Sequence, residues 1–355
     1  MEYNCEWLKH HINDTDPSTF PCEWAKENWH KTISQITEPF PCDNLREKWE
    51  GGGNYRTVLY TDGTFIINEK ESDIVNNVAL HGDAINVYPA LDATYPYEFN
   101  DPTERYWDTE SSLIKSVEFG SEVKPTKTAW WFVGMGNLTD IDWIGLDTSE
   151  VEDMHSMFYN CVTLSNIDLS SFNTSNVKYM SNMFERCSSL DTIDLSSFDT
   201  SKVYSMENMF TDCINLINLD LSDFDTSKMI NMSYMFKNCS SLENLNLSSF
   251  DTSSVEMMSD MFEKCSALTT LDLTSFNTSN VMGMALMFAD CSLLKTIYTN
   301  GDFDLSNLGE WNNNMFLNCT SLVGGMGTTY DSNNTGAHYA RIDNPPTESG
   351  YFTAK

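Results

Sequence analysis

The stretch MFERCSSLDTIDLSSFDTSKVYSM, residues 183–206, recurs along this chain with its main residues at fixed places. Its opening Met-Phe pair occurs seven times, with intervals of 26 residues between the first six copies and 28 before the last. The pairs begin at Met157, Met183, Met209, Met235, Met261, Met287 and Met315. A period in this range is typical of stacked repeats, in which each unit is too small to bury its own apolar face. The sequence therefore predicts a long repeat surface rather than an enclosed active-site cavity.

One repeat can be interpreted segment by segment. Apolar and polar side chains alternate in residues 192–195, which predicts a short strand with the apolar side chains inward. Phe198 is expected to fill the interior at the corner, and residues 199–201 supply turn and N-cap oxygens. The apolar residues between 203 and 210 have helical spacing and predict a short helix. Strand plus helix in one short repeat favours an α/β leucine-rich-repeat solenoid over an all-strand β-helix.

A cysteine follows each Met-Phe pair at the same distance, which predicts a column of cysteines inside the stack. These residues are Cys161, Cys187, Cys213, Cys239, Cys265, Cys291 and Cys319. Free cysteine is among the most buried residue types, and it behaves as a small apolar side chain. We expect a buried, reduced column, with disulfide bonds or a metal site as the alternatives.

Four segments are expected along the chain. Residues 1–53 carry a separate Trp/Cys repeat with helix-start signals and predict a small helical N-terminal module. Residues 54–103 predict a β-rich connector with a hairpin turn at Asp62-Gly63. Residues 104–330 predict the solenoid with its N-terminal cap, because Trp131-Phe132 continues the Met-Phe period. Residues 331–355 predict a C-terminal cap.

Charge and hydropathy exclude several partners. The formal net charge is −32 and no run of Lys or Arg occurs, so nucleic acids and anionic membranes are poor partners. No apolar run approaches the length that spans a bilayer. Residues 1–6 lack the basic and apolar regions of a secretory signal, and we expect neither a signal peptide nor a wall anchor.

Outward residues of successive repeats would form ladders, because parallel strands stack about 4.8 Å apart. The candidate ligand-binding residues are Asp168, Asp194, Asp220, Asn246, Asp272 and Tyr298 in one ladder, and Asn166, Thr192, Asn218 and Asn244 beside it. Their carboxylate, amide and hydroxyl oxygens suit cations or sugar hydroxyls. The alternative is a solvated polar face whose aspartates accept hydrogen bonds from the amides of neighbouring turns.

No catalytic fingerprint is present in the sequence. It contains no Gly-x-Ser-x-Gly, His-Glu-x-x-His, P-loop or dinucleotide motif, so we expect no enzyme and no cofactor. Cys5, His10, Cys22, His30 and Cys42 have zinc-binding side chains, but their spacing matches no recognised site. We therefore expect no metal ion either.

The repeated block resembles the BspA-type leucine-rich repeat of bacterial surface proteins. The resemblance covers roughly residues 104–355 and rests on the pattern Met-Phe-x-x-Cys-x-x-Leu-x-x-Ile/Leu-Asp-Leu-Ser-x-Phe-x-Thr-Ser-x-Val-x-x-Met. Such proteins are similar to adhesins that bind host or neighbouring-cell surfaces, and related repeats occur in phage-encoded proteins. The missing signal and anchor depart from the surface-anchored members.

The function expected from these observations is recognition of a cell-surface protein or glycan without catalysis. We expect a virion or phage-tail component that attaches through residues 1–53, with an extracellular surface location as the alternative. A structural protein that decorates a particle and binds no external ligand is the second interpretation. A hydrolase of surface polymers is the third, although acid–base catalysis needs two carboxyl groups in different environments.

Overall fold

A computed structural model describes residues 55–89, 108–120, 123–309 and 313–355. These residues divide between two compact units, one comprising the described residues up to Thr126 with Asn137–Asp147, the other Lys127–Gly136 with Thr148–Lys355. The predicted helical module at residues 1–53 and residues 90–103 of the predicted connector lie outside the described residues. The predicted domain boundaries remain predictions.

The first unit contains a five-stranded mixed sheet and one α-helix. Its elements are β1 (Tyr55–Tyr60), β2 (Thr64–Lys70), α1 (Glu71–His81), β3 (Ala84–Pro89), a 3-10 helix (Asp108–Leu113), β4 (Ser116–Phe119) and β5 (Asp140–Ile141). The strand order is β3-β1-β2-β4-β5, with β1 antiparallel to β2 and β3, and β4 parallel to β2 and β5. The predicted hairpin at Asp62-Gly63 is confirmed. Gly63 has a φ of 97°, a left-handed conformation that glycine adopts without strain.

The second unit is a stack of repeats joined by parallel pairing. Its strands are β6 (Asn218–Asp220), β7 (Asn244–Asn246), β8 (Thr270–Asp272), β9 (Thr296–Thr299) and β10 (Phe352–Ala354). Residues one repeat apart face each other, so that Leu219 lies opposite Leu245 and Leu271 opposite Ile297. The final strand, β10, pairs with β9 and covers the last repeat. The prediction of a repeat fold is confirmed.

The predicted helix in each repeat is wrong: in the described residues of the second unit, the segments after the corner form consecutive turns. The Met209 N–H donates to the carbonyl of Met206, and the Cys213 N–H to that of Phe210, both at 3.1 Å. Between these turn bonds, the Phe210 N–H donates to the carbonyl of Met235 in the next repeat, at 2.9 Å. The segment therefore uses its backbone groups to join repeats, whereas a helix would use them internally.

The apolar spacing could not separate these two structures, because tandem four-residue turns also bring residues i, i+3, i+4 and i+7 to one side. The discriminating signal is a pair of residues with left-handed backbone four positions apart in each repeat, such as Asn208 (φ 57°) and Asp212 (φ 61°). Asparagine and aspartate tolerate this conformation better than other non-glycine residues, and a helix cannot contain it.

The interior consists of columns of identical side chains. Phenylalanine rings from Phe132 to Phe316 stack with centroids 5.5–6.0 Å apart and interplanar angles of 2–24°. The seven predicted cysteines are free and buried, which confirms their inward position. The Cys187 Sγ–H donates to the carbonyl of Phe158 in the preceding repeat at 3.2 Å, and burial raises the pKa of this thiol from 9.0 to about 12.

A buried threonine joins repeats at the corner after the strand. The Thr174 hydroxyl donates to the carbonyl of Asp199 at 3.0 Å and accepts from the N–H of the same residue at 2.8 Å. We call this position the threonine corner. It comprises Thr148, Thr174, Thr200, Thr226, Thr252 and Thr278 with the residues Asn173, Asp199, Asp225, Asp251, Asn277 and Asp304. The N-cap role predicted for residues 199–201 is wrong, because no helix follows them, whereas the predicted turn forms, with the Asp199 carboxylate accepting the N–H of Ser201.

Candidate functional site

The ten predicted ligand-binding residues occupy equivalent outward positions of the repeats, which we call the strand face. Six of them lie in β6–β9, but the strand predicted at residues 192–195 does not form, and Asn166, Asp168, Thr192 and Asp194 lie in segments without strand structure. Asn218 faces Asn244, Asp220 faces Asn246, and Asp272 faces Tyr298 in the paired strands. The inward neighbours of these residues are leucines and isoleucines, all of them buried except Ile193 and Leu245, which are half-buried. The residues at all ten positions are exposed except Tyr298, which is half-buried. Their use as a binding site stays a prediction.

Serine and threonine residues hold the acidic side chains of the strand face in place. Oδ1 of Asp194 accepts the N–H of Ser196 at 3.0 Å, and Asp168 and Asp220 accept from Ser170 and Ser222 at 2.9 and 3.0 Å. These hydrogen bonds lower the pKa of all three carboxyl groups. The aspartates are therefore ionised at neutral pH and fixed in one orientation, and this geometry also satisfies the amides of the adjoining turns.

Amide groups continue this order beside the carboxylates. The Asn244 Nδ2 donates to Oδ1 of Asn218 at 2.6 Å, which links the side chains of neighbouring repeats. In the carboxylate ladder, Oδ1 of Asn246 accepts the N–H of Ser248 at 3.2 Å, as the aspartates do. Asparagine thus replaces aspartate here without loss of the turn geometry.

The C-terminal end of the strand face is occupied by a lysine of the same chain. The Lys355 ammonium forms an ion pair with Asp272 and lies 5.4 Å from the centre of the Tyr298 ring. Burial alone would raise the pKa of the Asp272 carboxyl group. The hydrogen bonds from Lys355 and Thr274 and the charge of Lys355 together outweigh burial, so the pKa is lowered overall. The carboxylate ladder thereby shows that it accommodates a primary ammonium beside an aromatic ring.

A second column of acidic residues, at the threonine corner, was not among the predicted site residues. Asp199, Asp225 and Asp251 accept the N–H groups of Ser201, Ser227 and Ser253 at 2.9–3.0 Å. Their signal in the sequence is the repeated Asp-Thr-Ser triplet, which was predicted to supply turn and N-cap oxygens. The backbone of Asp199 is held by the buried threonine described above, so these aspartates belong to the connection between repeats.

Sequence reasoning also missed a shallow groove along another face of the repeats. Its volume is about 690 Å³, and its walls include Tyr204, Ile230, Met282 and Lys228. The first three side chains are 41–47% exposed and occupy one repeat position. Their signal in the sequence is the recurrence of large apolar side chains at one repeat position that is not among the residues predicted to face inward.

Across the described ranges, no group of three or more His, Cys, Asp or Glu side chains is arranged to hold a metal ion. Cys5, His10, Cys22, His30 and Cys42 lie outside those ranges. No helix among the described residues combines the length and apolar character needed to cross a membrane.

The repeats match a known family profile twice. The profile, described as "Mycoplasma protein of unknown function, DUF285", matches residues 127–243 and 213–329, and the two matches together cover more than half of the chain. The chain belongs to the DUF285 family. The DUF285 repeats thus coincide with the stack of the second unit. No curated protein matches the chain.

Two solved structures are similar to this DUF285 protein. A leucine-rich cell surface protein from Faecalibacterium prausnitzii A2-165 is 19% identical, with 70% of this chain and 53% of that chain covered and a TM-score of 0.33. A leucine-rich-repeat protein from Bacteroides ovatus ATCC 8483 is 17% identical, with 67% and 70% covered and a TM-score of 0.34. This chain spans about half the length of the first protein.

Proposed function

We propose that this DUF285 protein is a non-enzymatic recognition protein whose strand face binds a protein or glycan on a cell surface. One observation carries the proposal: the same outward oxygen-bearing side chains recur in consecutive repeats, and a hydroxyl residue two positions later fixes each carboxylate or amide. The resemblance of the repeats to BspA-type surface proteins supports the same function.

Fixed, ionised carboxylates suit the recognition of a repeating or cationic surface. Ordering the side chains before binding reduces the conformational entropy that binding would otherwise cost. Carboxylates in consecutive repeats can each make a weak contact, and simultaneous contacts raise the overall affinity. The Lys355 ammonium on Asp272 and Tyr298 illustrates one such contact.

Equality among the aspartates argues against a hydrolase. A carboxyl pair that catalyses acid–base chemistry needs one member with a raised pKa and one that stays ionised. Serine hydrogen bonds lower the pKa of Asp168, Asp194 and Asp220 alike, so none of them is set apart as an acid.

The proposal also concerns where the protein is located. A position on a cell surface is compatible with recognition through the strand face. Attachment to a virion or phage tail through residues 1–53 stays a prediction from the sequence. Immunolabelling of the producing cells and of particles that they release distinguishes these locations: label on the envelope supports a surface protein, and label on particles supports a virion component.

Adsorption of the full chain to intact bacterial and animal cells, and to an array of defined glycans, tests the proposal. The variant Asp168→Asn/Asp194→Asn/Asp220→Asn removes three charges but keeps the turn acceptors, as Asn246 does in the native chain. The matched control Asp199→Asn/Asp225→Asn/Asp251→Asn removes three equally capped charges at the threonine corner.

We expect the strand-face variant to lose most of the adsorption and the threonine-corner control to retain it. Equal adsorption of the two variants would remove the strand face from the binding site. If the native chain adsorbs to no cell and no glycan, recognition is overturned and the particle-decorating interpretation takes its place.

A further inference from the structure

The last part of the chain carries an open polar depression whose lining residues are separate from those of the strand face. Its volume is about 760 Å³. We call it the terminal tyrosine pocket and define it by Thr329, Tyr330, Asp331, Asn334, Tyr339 and Tyr351. Such a volume lies within the range of small-molecule sites in proteins, roughly 300–1,000 Å³.

Three tyrosine rings form the aromatic part of the pocket. Tyr351 is fully buried, and the rings of Tyr330 and Tyr339 stack on it with centroids 6.5 and 5.1 Å away and interplanar angles of 29° and 27°. The two outer rings remain partly exposed. Each aromatic face carries partial negative charge, which attracts the weakly positive C–H groups on the apolar side of a sugar ring.

Oxygen and nitrogen atoms around the rings supply hydrogen bonds of both kinds. The Asp331 carboxylate accepts from the N–H and Nδ2 of Asn333, both at 2.9 Å, and from Nδ2 of Asn334 at 3.3 Å. The hydroxyl of Thr329 also lines the pocket. Carboxylate, amide and hydroxyl groups within one cavity match neighbouring hydroxyls of a sugar, each of which both donates and accepts.

Buried hydrogen bonds hold the walls of the pocket in one conformation. The Asp343 carboxylate, which is 3% exposed, accepts from the N–H groups of Met326 and Thr328 at 2.9 Å and from that of Gly350 at 3.3 Å. The hydroxyl of Tyr351 accepts the N–H of Asp331 at 3.1 Å. A site fixed before the ligand arrives binds more tightly than one that must be ordered.

We propose that the terminal tyrosine pocket binds a neutral sugar ring of a glycan; this inference rests on the proposed recognition function and names a ligand class. We expect an uncharged ligand because of the side chains that line the pocket. None of the described residues that line the pocket is lysine or arginine, and Asp331 would repel a carboxylate or sulfate on the sugar.

Isothermal titration of the full chain with neutral and anionic sugars tests the inference. The probes are the methyl glycosides of galactose, mannose and N-acetylglucosamine, with sialyllactose as the anionic comparison. Tyr339→Ala removes one stacking face and Asn334→Ala removes one amide from the pocket surface. Tyr204→Ala, at a tyrosine 41% exposed on another face, is the matched control.

We expect at least one neutral glycoside to bind, with affinity about tenfold lower in Tyr339→Ala and unchanged in Tyr204→Ala. If Tyr339→Ala does not fold, Asn334→Ala serves as the test, and we expect it to lose affinity for the neutral glycoside. Absence of neutral-sugar binding, preference for sialyllactose, or equal binding by the native chain and both pocket variants would overturn the inference.

Cell adsorption of the same proteins separates this inference from the proposed function. If the protein binds neutral sugars but its adsorption is unchanged by the strand-face substitutions, the proposed function is overturned and the sugar-binding inference stands. Adsorption that depends on the strand face, without any sugar binding, overturns the pocket alone.

Discussion

The strand face and the threonine corner contain the same local motif, but the residue inside the motif has a different environment in each. In both, an aspartate or asparagine accepts the N–H of the residue two positions later, as Asp194 does from Ser196 and Asp199 from Ser201. At the threonine corner, the intervening Thr200 is buried and donates to the next repeat. On the strand face, the intervening Leu195 enters the apolar interior.

This difference is the reason for proposing that the strand face, and not the threonine corner, binds the partner. The aspartates of the threonine corner lie on backbone that the buried hydroxyls hold, so their positions serve the connection between repeats. Those of the strand face lie above an apolar interior, and each of Asp168, Asp194 and Asp220 accepts a turn bond from the serine two positions later. A repeated motif therefore identifies a candidate site only after its neighbours are assigned to the interior or to a connection.

The largest expected effect comes from Phe250, whose side chain is buried in the interior of the stack. It is 1% exposed and stacks on Phe276 at 6.3 Å. Phe250→Ala should reduce the free energy of unfolding by about 3–5 kcal/mol, because it leaves a cavity between repeats. Chemical denaturation measures the loss, and hydrogen exchange should show faster opening of the adjacent repeats. A loss similar to that of an exposed residue would place Phe250 outside the core.

A smaller loss is expected at the threonine corner. The Thr252 hydroxyl donates to the carbonyl of Asn277 at 2.8 Å and accepts from its N–H at 2.7 Å. Thr252→Val keeps the shape but leaves both groups without this partner, which should cost about 1–3 kcal/mol. Denaturation of Thr252→Ser, which retains the hydroxyl, is the control. If valine and serine destabilise equally, the hydrogen bonds do not hold the repeats together.

Acid should weaken both regions in the same direction. Hydrogen bonds from Ser253 lower the pKa of Asp251 below its ordinary 3.8, and those from Ser196 do so for Asp194. A carboxyl group whose pKa is lower when folded contributes stability that is complete above the unfolded pKa and disappears as pH falls through the folded value.

We therefore expect stability to fall as pH decreases below 3.8, and Asp251→Asn and Asp194→Asn each to reduce the steepness of that fall. Thermal unfolding followed from pH 6 to pH 2 measures the slope. An unchanged slope in both variants would show that the turn bonds do not favour the ionised form.

The smallest effect is expected for an outward residue of the strand face. Thr192 is exposed, and its hydroxyl donates to Oδ1 of the neighbouring Asp191. Thr192→Ala should change the free energy of unfolding by less than about 0.5 kcal/mol. A loss comparable to that of Phe250→Ala, measured in the same denaturation series, would reverse the assignment of inward and outward positions.

The sequence was sufficient for the repeat, the inward columns and the outward ladders, because a fixed period with alternating polarity leaves few arrangements. It was insufficient for the backbone of the Met-Phe segment, where helix and tandem turns place Met206, Met209 and Phe210 on the same side. The left-handed positions at Asn208 and Asp212 were the usable signal.

Other features of the site depend on contacts between distant residues. Nothing in the local pattern places Lys355 on Asp272, because these residues are 83 positions apart. The terminal tyrosine pocket likewise requires residues 329–351 to fold back on the last repeat, and this segment has no periodicity.

The recognition surface can be tested most directly by carboxyl-group footprinting of the full chain, free and adsorbed to cells. We predict that Asp168, Asp194 and Asp220 become protected from modification on adsorption, while Asp199, Asp225 and Asp251 keep their reactivity. Equal protection of the two sets, or protection confined to the threonine corner, would contradict binding through the strand face.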